Sequence, residues 1–152
     1  MAGKDKIERG FRIWFDDADV SGTARDLSGD LLPGSVNGGG KVLDEVEMTG
    51  VSDAVKKYLA GHAQAPVSAR FHMNDTATTG AFTVLSGMEG MRGTLTLQYG
   101  SNGVAPTTGD PEWEGEYVFL GFNVVPDSGK MVLEATFQPA SGYADPAWGT
   151  VT

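Results

Sequence analysis

The chain has 152 residues, 20 acidic and 11 basic side chains, and a formal net charge of −9. A surface of that sign repels nucleic acid and anionic membranes, which excludes tight polyanion binding as its purpose. It has no cysteine, which excludes disulfides and thiolate metal sites.

Hydrophobic residues at 40% and charged residues at 20% are ordinary for a globular chain. The length suits one domain, 1–152, with a core of its own. Met1 to Arg9 carries charges of both signs and no apolar segment, unlike a secretion signal, and reads as an N-terminal arm. No stretch approaches the roughly 18 apolar residues of a membrane span.

Phe11, Ile13 and Phe15 alternate with Arg12, Trp14 and Asp16, which predicts a first strand. Asp16 to Gly22 turns the chain, and Thr23 to Leu27 is a short second strand. Residues 28–41, with Gly29, Pro33, Gly34 and Gly38-Gly39-Gly40, form a long loop, of a length usually functional or mobile. Val42 to Met48 reads as a strand. Ser52 to Ala60 reads as a helix. Ser52 suits the N-cap, Asp53 and Lys56-Lys57 match the dipole, and Gly61 suits the C-terminus. Val67 to Met73 alternates as a half-buried strand. Thr79 to Gly87 predicts a short helix around Phe82 and Leu85, and Thr94 to Tyr99 another strand. Ser101 to Pro111 is a loop. Tyr117 to Val125 and Met131 to Phe137 are the strongest strands, joined by a hairpin loop at Pro126-Asp127-Ser128-Gly129. Residues 139–152 read as a C-terminal arm with a short strand near Trp148 to Val151.

The motifs for chemistry are weak. Asp17 to Gly22 resembles the start of a calcium loop, but its twelfth position is Ser28, not a bidentate Glu, so it reads as an Asp-rich turn. His62 and His72 lack the spacing and companions of a zinc site. Glu112, Glu114 and Glu116 would share one strand face around Trp113. Paired carboxylates serve glycosidases, yet a solvated face is the simpler reading. Trp14, Trp113 and Trp148 suit core or interface anchors better than a sugar platform. No nucleophile elbow or phosphate loop is present. Neither a catalytic function nor a cofactor or metal is expected.

The order of these features resembles the major tail tube proteins of long-tailed bacteriophages. Three stretches carry the resemblance. Asp19-Val20-Ser21-Gly22 leads into Arg25 to Ser28 like that family's opening hairpin. Glu45 to Gly50 runs straight into the Ser52 helix. Arg70 to Asp75, a short helix, Gly93 to Tyr99 and the final hairpin follow, out to Trp148-Gly149. The resemblance implies a mainly β fold: two packed antiparallel sheets, sandwich- or barrel-like, flanked by one α-helix, with a long loop and extended termini. It implies a structural virion protein that self-assembles into stacked hexameric rings, the tail tube through which double-stranded DNA is ejected without specific binding. Assembly would occur in the bacterial host cytoplasm, with tail terminator, tape measure and baseplate proteins as partners. Glu45, Glu47, Glu114, Glu116 and Glu134 would be lumen-facing. Ser35, Asn37, Gly39, Lys41, Tyr143 and Trp148 would make inter-ring contacts. The extra immunoglobulin-like domain of many tube proteins has no room here. A carbohydrate-binding β-sandwich, or a decoration or head–tail connector protein, are the alternatives.

Overall fold

The computed structural model describes residues 4–152. The fold is mainly β, with two antiparallel sheets and one short helix among the described residues, as the sequence predicts. The partition between the sheets is uneven. The large sheet has the order β2 (Ala24–Asp26), β1 (Lys6–Asp16), β6 (Arg92–Ser101), β7 (Pro111–Asp127), β8 (Lys130–Pro139) and β5 (Val67–His72). β9 (Ala147–Thr150) adds to β7, and β3 (Val42–Glu47) and β4 (Tyr58–Gln64) pair only with each other.

Alternation sets the register of the large sheet. Ile13 lies across from Leu97 and Leu97 across from Trp113, and all three are buried. A slip of one residue would turn this row to solvent, so the register is strongly specified. Phe15 packs edge-on against Phe119 and Phe137 at 6.3 and 5.1 Å between ring centres. Such contacts add to the gain from apolar burial itself. β7 changes phase at a bulge between Phe119 and Phe122, where Gly121 takes φ +106°. α1 (Ala81–Ser86) closes one side of the core through Ala81, Val84 and Leu85.

The sequence underestimates the order of the 28–41 loop. Ser28–Asp30 forms a 3-10 turn. Leu27 N–H donates to Ile13 O at 2.9 Å, and Ile13 N–H to Ser28 Oγ at 2.8 Å. Further on, Leu32 N–H donates to Arg70 O at 2.9 Å, and Asn37 and Ser68 exchange two backbone bonds. The loop therefore spans from the β1 side of the large sheet to the β5 side, which do not meet. Asp30 holds α1 in place by accepting bonds from the Asn74 amide (2.9 Å) and Ala81 N–H (3.0 Å).

Both predicted arms are only partly arms. Lys6 to Arg9 belong to β1, and β9 pairs Trp148 with Trp113. Residues 1–3 of the N-terminal arm lie outside the described residues. The β7–β8 turn is tighter than predicted: Asp127 pairs with Lys130, leaving Ser128 and Gly129, both left-handed.

The Ser52–Ala60 helix is not formed. Residues 48–57 are the turn of a hairpin, and Tyr58–Gln64 is β4. The helix-capping groups serve the turn instead. Asp53 Oδ2 accepts Gly50 N–H at 2.8 Å, and Thr49 Oγ1 accepts Lys57 N–H at 3.0 Å. An amphipathic helix needs a body to pack its apolar face against. Val55, Tyr58 and Leu59 are all exposed. Pairing with β3 satisfies the backbone of this segment where helix packing cannot.

Candidate assembly surfaces

The β3–β4 hairpin is an arm. Every residue of its strands is exposed except half-buried Gly61. Val46 lies across from Leu59, and they are 45% and 59% exposed. Glu45 across from Ala60, and Glu47 across from Tyr58, take the opposite face by alternation. One face thus carries Val46 and Leu59 beside Asp44, and the other carries Glu45 and Glu47 with Leu43 and Tyr58. A two-stranded hairpin alone in water is marginally stable.

Its root is rigid. Tyr117 OH accepts a bond from Trp113 Nε1 at 2.9 Å and donates to Ala65 O, just past β4, at 2.8 Å. Burial raises the Tyr117 pKa above the ordinary phenol value, so the hydroxyl remains a donor. Ahead of β3, a Cβ on Gly38 would fall 2.7 Å from Pro66 O, and one on Gly39 2.6 Å from the Tyr99 hydroxyl. Gly38 and Gly39 are close-packed joints, not slack. Trp148 lies over Gly40 and packs its ring against Trp113 (5.2 Å) and Tyr99 (5.7 Å).

The second surface is the outer face of β1, β6 and β7. Glu112, Glu114 and Glu116 lie across from Gln98, Thr96 and Thr94, with side-chain bonds of 2.8, 3.1 and 2.7 Å. Trp14 Nε1 donates to Gln98 Oε1 at 3.1 Å, and Thr94 N–H to Asp16 Oδ2 at 3.1 Å. These bonds fix a ladder of carboxylates on the side away from the core.

The five acidic candidates therefore fall in three places. Glu114 and Glu116 share the ladder with Glu112. Glu45 and Glu47 sit on the arm. Glu134 faces Arg70 across β8 and β5 at 3.4 Å. The six contact candidates also scatter. Ser35 Oγ donates to Leu32 O and accepts Arg70 N–H, and Asn37 pairs with Ser68. Gly39 and Lys41 lie at the arm's root, Lys41 Nζ being 3.9 Å from Asp145. Tyr143 lies under the Arg92 guanidinium, 4.4 Å from the ring centre, and Trp148 braces the root. Sequence reading missed Leu59 and Tyr58 as strand residues of the arm. The signal was the alternation of Val42 to Met48, which needs a partner strand.

No protein-family model and no curated protein matches the chain. Its fold is similar to that of a chain in the sixfold-symmetrised baseplate of the anti-feeding prophage, with a TM-score of 0.65, 11% identity and 97% of each chain covered. It is also similar to a chain in the extended sheath–tube complex of the PVC extracellular contractile injection system, with a TM-score of 0.61 and 12% identity, covering 99% of this chain and 95% of that one.

Proposed function

We propose that the chain is a structural subunit of a phage-tail-like assembly, and that it self-assembles into stacked hexameric rings forming a tube. The observation that carries this reading is the arm: Val46 and Leu59 stand exposed on one face of a hairpin anchored at its root, with nothing among the described residues packed over them. A neighbour that covers that face removes apolar area from water and supports the hairpin at the same time. The likeness to chains of two contractile assemblies supports a tail-like role. It widens the setting from a long-tailed phage to a contractile injection machine. Tail terminator, tape measure and baseplate proteins are the partners this role entails, with DNA or another cargo passing through the lumen. A carbohydrate platform is less well supported, because Trp113 is buried in the core and Trp148 leans against it.

Negative-stain microscopy of the concentrated protein tests the proposal. Rings or tubes are expected from the unaltered chain and not from V46S/L59S, which should stay folded and monomeric. An unaltered chain that remains monomeric at high concentration and is retained on a polysaccharide column would overturn it.

A further inference from the structure

The C-terminal segment crosses back over the arm's root. β8 ends at Pro139, and after residues 140–146 the chain returns to the edge of β7 as β9. Trp113, Gly115 and Tyr117 form one inward row of β7 by alternation. Trp113 and Tyr117 are buried, and Gly115 leaves a hole between them. Pro146 fills that hole: it is buried, and a Cβ on Gly115 would fall 2.7 Å from its Cα. Tyr117 is also the residue whose hydroxyl holds Ala65 at the root, and Trp148 packs on Trp113 and over Gly40. The Pro146 peg and the Trp148 ring therefore grip the row to which the arm is tied.

The grip is shallow. Every residue of β9 is exposed, Trp148 at 54%. Lys41 and Asp145, 3.9 Å apart, lie at the surface, where an ion pair contributes little. Between the arm's base and this segment lies a cavity of about 230 Å³, with Lys41, His62 and Ala63 on one side and Pro139, Asp145 and Pro146 on the other. The base can therefore shift without compressing the core. We propose that residues 143–150 are a releasable strap that fixes the direction of the arm. Seated, the strap holds the root against β7. Lifted, it lets the hairpin swing while the large sheet stays folded. Val151 N–H donates to Asp110 O and Gly109 N–H to Val151 O, both at 2.8 Å, so the strap stays tethered beyond β9 when Pro146 and Trp148 lift. Segments that open locally have few buried contacts and exposed backbone pairing, which describes β9 and not the core strands around it. The device lies within one molecule and stands apart from the tube reading.

The chain lacks cysteine, so a pair of nitroxide labels can be placed cleanly. Met48, at the far end of the arm, and Leu120, on β7, are both exposed. Double electron–electron resonance on labelled M48C/L120C, diluted in unlabelled chain, should give one narrow distance distribution. Adding P146G/W148A should broaden it at least about twofold, as for an element freed to open locally. Adding G115A, whose new methyl displaces Pro146 but leaves Trp148, should broaden it less. W148F keeps a ring on Trp113 and should leave it narrow. A width unchanged by P146G/W148A overturns the proposal. So does hydrogen exchange that rises as much in β6 as in the arm, or a P146G/W148A chain that does not fold, because the segment is then part of the core and not a strap. Formation or absence of tubes alters none of these outcomes.

Discussion

Gly39 shows how closely single residues fix the arm. Its φ of +92° lies in a region that side chains rarely adopt, and a Cβ there would sit 2.6 Å from the Tyr99 hydroxyl. G39A should therefore cost about 1–3 kcal/mol, part from backbone strain and part from the clash. The two parts separate experimentally. In a Y99F background the hydroxyl is gone, so G39A should cost less than in the native background, while the strain remains. Urea melts of the four proteins measure the coupling. Strict additivity would mean that the hydroxyl is no obstacle. The run Gly38-Gly39-Gly40 marks a loop plainly in the sequence. That it is packed cannot be read there, because Tyr99 and Pro66 reach it only through tertiary structure.

At the scale of elements, the β1–β2 turn carries its own acid sensitivity. The Asp17 carboxyl is held below the usual carboxylate range, first by the Thr23 N–H it accepts at 2.8 Å and then by the Arg25 guanidinium at 2.8 Å. A depressed pKa means that the unfolded chain protonates first as pH falls. The stabilisation is present above the unfolded value of about 3.9 and is lost as pH drops through the lower folded value. D17N removes this contribution. It should lower the urea midpoint at pH 7 and lose less on going to pH 3 than the unaltered chain does. Equal losses in both proteins would sink the idea. The Asp-rich turn and both its strands were legible from alternation and composition. The β3–β4 hairpin was half legible. Val42 to Met48 alternates, but Ser52, Asp53 and Lys56-Lys57 mimic helix-capping chemistry, and the local pattern does not reveal that no packing surface exists for a helix.

At the scale of the whole molecule, the order of elements was more informative than any motif, and it led to a fold that two solved assemblies share at 11% and 12% identity. The ladder of Glu112, Glu114 and Glu116 was visible as a triplet sharing a strand face. Its partners on β6 were not, since they are set by a register that spans the long 102–110 loop. The net charge of −9 gives the ladder a functional meaning if the subunits form a channel. A wall that binds DNA by displacing its counterions would hold it, whereas a carboxylate wall lets it pass. E114K/E116K changes each of two sites by two charges and takes the subunit from −9 to −5. The bonds lost to Thr96 and Thr94 are partly buried, and Thr96 itself is buried, so E114K should cost the fold about 1–3 kcal/mol. Tails built from this variant should form normally and eject DNA more slowly at low ionic strength. Added salt should restore the rate, because it weakens phosphate contacts steeply. Ejection at the native rate in low salt would remove the ladder from the channel wall and place it on an outer or intersubunit surface instead.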